Sequence, residues 1–139
     1  MKVLGRHLIV ELADCADDIL NNLEELEKQM NESVRHSGAT IVRSVFHRYN
    51  PQGVSGVIVI AESHFSIHTW PEYNYAAVDF FTCGDTVDPY KAFENMKDAL
   101  QAKTTDVKEL ERGIPSETRE KIAHKTQLTA SNSIQAQIG

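Results

Sequence analysis

Residues 39–61, read as ATIVRSVFHRYNPQGVSGVIVIA, set two β-branched runs on either side of Asn50-Pro51-Gln52-Gly53. Branching at Cβ favours a pleated backbone and the Asn-Pro-x-Gly tetrapeptide supplies a turn, so the segment predicts a β-hairpin. Strands this apolar must have one face covered, and the rest of the chain has to supply further strands and the cover. Val3 to Leu12 reads as a first strand. After it Ile19, Leu20, Leu23, Leu26, Met30 and Val34 recur along one helical stripe, with Asp14 or Asp17 as its N-cap and Gly38 at its end. Residues 64–70 alternate His64, Ser66, His68 and Trp70 against Phe65, Ile67 and Thr69, the period of a strand that sends its polar set to one face. YAAVDFFTC, residues 75–83, reads as another strand. Asp88-Pro89 opens a second helix with Tyr90, Phe93, Met96 and Leu100 on its stripe, and residues 104–112 add a last short strand. This order predicts an α+β two-layer sandwich, a mostly antiparallel sheet with two helices on one face.

With 139 residues, 41% of them apolar, the chain suits one domain, expected over residues 1–114. From Pro115 onward Ser, Thr, Gln, Asn and Lys dominate, with too little apolar surface to offset the entropy of ordering, so residues 115–139 are expected to form a flexible tail. A net charge of −6 without any Lys/Arg stripe argues against a nucleic-acid surface. No window approaches the ~18 apolar residues of a membrane span. The N-terminal MKVLGRHLIVEL carries charge within its apolar run and lacks a small-residue cleavage site, so it reads as a strand and not as a signal peptide. The expectation is a cytoplasmic chain, away from membranes, with Cys15 and Cys83 both reduced.

The stretch ESHFSIHTWPE, residues 62–72, follows directly on the second hairpin strand and holds the densest reactive chemistry in the chain. Its polar residues can simply face solvent from a half-exposed strand, as is common in antiparallel sheets. A metal site on His64 and His68 is disfavoured, because four residues of strand span roughly 13 Å and zinc ligands each lie about 2 Å from the ion. A hydrolase reading would make Ser63 or Ser66 a nucleophile with a histidine base, yet the G-x-S-x-G elbow is missing. In the remaining reading the Ser63 hydroxyl attacks the carbonyl of Glu62 and converts the amide to an ester, and β-elimination then frees the upstream chain. That chemistry asks for a serine on a strained turn between strands, a stabilised oxyanion and a base, with His64 and His68 both candidates.

GRHL near the N-terminus, SGATIV and FHR, GVSGVIVIAESHFSIHTWPE, and YAAVDFFTCG followed by DPYKAF closely resemble the prokaryotic short-chain S-adenosylmethionine decarboxylase proenzymes, in order from about residue 2 to residue 113. The resemblance implies cleavage at Glu62-Ser63 into a 62-residue β chain and a 77-residue α chain, with Ser63 becoming a pyruvoyl cofactor and no metal required. It also implies His68 as the processing histidine and Cys83 as the catalytic cysteine. Glu72 would bind the ribose hydroxyls, Ser55 would assist processing and line the site, and Tyr49 would lie near the adenine. The implied reaction is decarboxylation of S-adenosylmethionine through a Schiff base, giving the aminopropyl donor for spermidine biosynthesis. Two processed αβ units are implied to pair. A pyruvoyl carbonyl acts as an electron sink, and a thiol, mostly protonated at neutral pH, can return the proton to the substrate carbon. The alternatives are a pyruvoyl-dependent decarboxylase of another amino acid and an uncleaved, non-catalytic binding relative.

Overall fold

The computed structural model describes residues 3–114. The elements run β1 (Gly5–Ala13), α1 (Leu23–Ser37), β2 (Ile41–Arg48), β3 (Val54–Ile60), β4 (Ser63–Trp70), a 3-10 turn (Pro71–Tyr73), β5 (Tyr75–Cys83), α2 (Pro89–Leu100) and β6 (Thr104–Arg112). Six strands form one sheet in the order β2-β3-β4-β5-β1-β6, and every pairing is antiparallel. The hairpin about Asn50–Gly53 is present, and the expected two-layer α+β sandwich is the fold observed. The tail expected over residues 115–139 lies outside the described residues.

The helix start is a correction. Asn22, not Asp14 or Asp17, caps α1, its side chain accepting from the Glu25 amide at 3.1 Å. Asp14 instead ends β1 with φ 53° and accepts from the Thr104 hydroxyl, while Asp17 accepts from the Asn74 amide at 2.5 Å. Both acids are committed to holding the exit of β1, so the chain turns through residues 16–22 before it can wind. Leu20, on the expected helical stripe, reaches the core from that turn. The other end matches expectation, with Gly38 at φ 86° closing α1.

Alternation decides which side of the sheet is covered. Leu8, Val10 and Leu12 of β1, Ile58 of β3, Phe65 and Ile67 of β4 and Phe80 of β5 point toward the helices and are fully or almost fully buried. They pack with Leu26, Met30 and Val34 of α1 and Phe93, Met96 and Leu100 of α2 in a single core. Phe65 and Phe80 meet edge to face at 4.6 Å across β4 and β5. Phe80→Ala would remove that contact and open a cavity, with an expected loss of about 3–5 kcal/mol. Urea unfolding of the full chain, followed by tryptophan fluorescence, measures it.

Among the described residues the opposite face carries no helix. There the same alternation presents Val45 of β2, Val57 and Val59 of β3, Trp70 of β4 and Leu110 of β6, all exposed, among polar side chains from every strand.

Candidate active site

Ser63 and Cys83, and Tyr49, Ser55, His68 and Glu72, lie on or at the edges of this open face, in two groups. The first is at the β3–β4 turn. Only Ala61 and Glu62 separate β3 from β4, and Thr40 pins them, its carbonyl accepting from the Ala61 amide at 2.9 Å and its amide donating to Glu62 Oε1 at 3.1 Å. Ser63 emerges from this turn at φ 136°, a conformation that L-residues avoid at a cost of about 1–3 kcal/mol. The register places Ser63 between Ile60 and Thr82, which brings the end of β5 alongside. There the Cys83 amide donates to the Glu62 carbonyl oxygen at 2.8 Å.

The Cys83 side chain lines a cavity of about 440 Å³ with Leu4, Gly5, Phe81, Arg112 and Gly113. Gly5 lets the Phe81 ring close over its backbone, since a Cβ there would sit 2.7 Å from that ring. Ser63, the Glu62 carbonyl and Cys83 are thus gathered at one end of the sheet.

The second group is at the far end of β3 and β4. Ser55 and His68 are opposite one another in the register, with Ser55 Oγ 2.8 Å from His68 Nδ1. They line a separate cavity of about 340 Å³ together with Tyr49, Trp70 and Glu72. Below it Thr69 is buried, its hydroxyl donating to the Leu20 carbonyl at 2.7 Å and accepting from the Val54 amide at 2.8 Å, so the floor of this cavity is fixed. His68 and Ser63 are five residues apart on one extended strand, roughly 16 Å. One chain therefore does not bring His68 to Ser63.

A third cluster, not anticipated from the sequence, lies on the same face behind Ser63. Asp79 of β5 accepts from the Ser66 hydroxyl and lies 2.6 Å from His7 Nε2 and 3.4 Å from His64 Nε2. Burial pushes the Asp79 carboxyl up, but its hydrogen bonds to Ser66 and His7 and its electrostatic attraction to the two imidazoles outweigh that and leave it lowered. Among the described residues His7, His64 and Asp79 are the one group whose donor atoms come within 4.8 Å of each other, as a cation would need. The surroundings oppose a cation. Arg112 Nη1 lies 3.1 Å from His7 Nδ1, and a guanidinium only donates, so Nδ1 is bare and Nε2 carries hydrogen. A metal-bound imidazole needs the reverse arrangement, usually with a carboxylate or carbonyl behind it.

The two thiols form no disulfide. Cys15 is buried in the core, where burial and then the charge of Asp14 push it up to about 11; it is remote from the open face and keeps a packing role. No described helix is long and apolar enough to cross a membrane.

Fold and site together put a serine and a thiol at a strained strand junction of an α+β sandwich. The family model for S-adenosylmethionine decarboxylase matches residues 6–113. A relative from Thermotoga petrophila, an S-adenosylmethionine decarboxylase proenzyme, is 54% identical over 128 residues, covering 88% of this chain and 98% of its own. Another of that name from Thermosipho melanesiensis is 58% identical over 113 residues, covering 81% and 87%. The crystal structure of the adenosylmethionine decarboxylase from Aquifex aeolicus superposes with a TM-score of 0.79 at 34% identity, covering 87% of this chain and all of that one. The chain belongs to the S-adenosylmethionine decarboxylase family and is a decarboxylase.

Proposed function

We propose that the chain is a zymogen that cuts itself between Glu62 and Ser63, and that two cleaved copies together decarboxylate S-adenosylmethionine in the cytoplasm. The observation that carries the reading is the Glu62–Ser63 junction. The serine is held at positive φ, and the carbonyl it would attack already accepts a hydrogen bond from the Cys83 amide. As the Ser63 hydroxyl adds, charge develops on the Glu62 oxygen and that N–H stabilises it without reorganisation. Breaking the bond also relieves the backbone strain.

The site fits the group that Ser63 would become. A pyruvoyl at residue 63 supplies a carbonyl that takes the substrate amine and draws away the electron pair as CO₂ leaves. Cys83, whose amide already bonds the Glu62 carbonyl, would hold and return a proton at Sγ, and the cavity it lines with Leu4, Phe81 and Arg112 would take substrate. Tyr49, Ser55 and Glu72 then serve the nucleoside end, with Glu72 accepting from ribose hydroxyls and the Tyr49 and Trp70 rings facing a cationic sulfonium.

The separation of the two cavities supports the pairing of two copies. A two-fold axis between two open faces can lay the Ser63–Cys83 end of one chain over the Ser55–His68 end of another, and symmetry then completes two sites at once. It also covers the exposed valines, Trp70 and Leu110. In this arrangement His68 of one copy takes the Cα proton of Ser63 in the other. When Ser55 accepts from Nδ1–H, Nε2 is left bare for that proton.

Denaturing intact mass is the test. Two chains are expected, the larger beginning at residue 63 with no free amine. A single species at 15.6 kDa in freshly folded and in aged protein alike would overturn the reading.

A further inference from the structure

The cluster behind Ser63 has no part in the scheme above, and its geometry is specific. His64 is the next residue after Ser63, and its ring is fixed on two sides. Phe81 stacks on it at 5.7 Å with 26° between the planes, and Nε2 faces Asp79. Asp79 is in turn held by Ser66 directly across from it on β4 and by His7 from β1. The charged or titratable groups facing it are His64 from β4, His7 and then Glu11 from β1, and, through His7, Arg112 from β6. Arg112 keeps His7 donating toward Asp79. Each group hydrogen-bonded to the carboxylate therefore donates to it, Glu11 lying two residues further along beside Ala77, and His64 is the one that adjoins the residue proposed to react.

We propose that His64 is the proton shuttle for the first half of self-cleavage, the exchange of amide for ester, and that Asp79 is its positioning residue. The proposal rests on the self-cleavage reading and divides its proton transfers between two histidines. Asp79 accepts from Nε2–H and so fixes the tautomer in which Nδ1 of His64 is bare. As the bond from Ser63 Oγ to the Glu62 carbon forms, the hydroxyl proton moves to Nδ1. As the Glu62–Ser63 C–N bond breaks, the same proton passes to the Ser63 nitrogen. An ester and an amine result, with no net charge gained or lost. His68, from a second copy, then serves only the later elimination at Cα.

The two steps differ in what they leave behind, because hydroxylamine cleaves an ester and spares an amide. Full-length chain made by cell-free synthesis is followed for the appearance of two fragments. Asp79→Asn and His64→Ala are each expected to slow cleavage about 10²- to 10⁴-fold, the range for a lost positioned base, and to leave chain that hydroxylamine does not cut. His68→Ala is expected to stall as a chain that hydroxylamine does cut at residue 62. Because Asp79 acts through His64, the double variant should be no slower than His64→Ala alone. In the uncleavable Ser63→Ala chain, ¹⁵N shifts of His64 should show a bare Nδ1 that becomes a tautomer mixture with Asp79→Asn, a signature that loss of packing alone would not give. If Asp79→Asn is recovered only unfolded, His64→Gln carries the kinetic test. Cleavage at the wild-type rate in Asp79→Asn or His64→Gln, or accumulation of hydroxylamine-labile ester in either, would overturn the proposal while wild-type cleavage stands. Failure of the wild type itself to cleave would instead sink the self-cleavage reading.

Discussion

Ser63→Ala is expected to remain one chain of 15.6 kDa indefinitely, with decarboxylation at background. Loss of the hydroxyl removes the only atom at residue 63 that can attack the Glu62 carbonyl, so neither the ester nor the carbonyl group derived from it can form. The Cys83 amide still donates to the Glu62 oxygen and the turn is still pinned by Thr40, which keeps the junction intact as a folded structure. A second substitution separates chemistry from strain. Ser63→Gly also lacks the hydroxyl but accepts φ 136° freely, so it should stay uncleaved and unfold at higher urea than Ser63→Ala, by about 1 kcal/mol or more. Mass spectrometry and urea titration on the two uncleaved proteins give both results. Slow cleavage at the same bond in Ser63→Ala would mean that the nucleophile lies elsewhere.

The strands were legible because a period of two survives in a single sequence. The alternation of Phe65, Ile67 and Thr69 against His64, Ser66 and His68 reports a face directly, and the Asn50–Gly53 turn reports the reversal. The N-cap of α1 was not legible. Asp14, Asp17 and Asn22 are all good caps by residue type, and the choice among them is made by Thr104 and Asn74, contacts 90 and 57 residues away along the chain. The site divides in the same manner. Ser63 and Cys83 could be paired with Glu62 through a recognised pattern, but no spacing rule connects residues 7, 64, 79 and 112. They meet because β1 lies between β5 and β6, a strand order that local periodicity does not contain. Nearness in sequence misled in the opposite direction, since Ser63 and His68 share one short motif but occupy the two ends of a strand.

Cys83 contributes twice to the proposed function, through different atoms, and substitution can separate the two. Its backbone N–H donates to the Glu62 carbonyl oxygen, and any residue except proline keeps that donor. Its thiol lines the cavity with Gly5, Phe81 and Arg112, and in the proposed reaction it is the thiol that returns a proton to the substrate carbon after CO₂ leaves. Cys83→Ala is therefore expected to cut itself at least in part, yet to decarboxylate about 10²- to 10⁴-fold more slowly, the usual consequence of removing a positioned acid. Cys83→Ser tests whether the proton or the volume matters: a hydroxyl holds a proton in the same place but gives it up less readily, so activity should lie between the alanine variant and the wild type. With no donor beside the substrate carbon, some turnovers should end with the proton on residue 63 instead. The larger chain then acquires an N-terminal alanine, visible by mass spectrometry as an amine that accumulates with the number of turnovers. That slow self-inactivation separates a proton donor from a packing residue, because a merely loosened cavity would lower activity without consuming the reactive group. Full and sustained activity in Cys83→Ala would leave Cys83 with its backbone role alone.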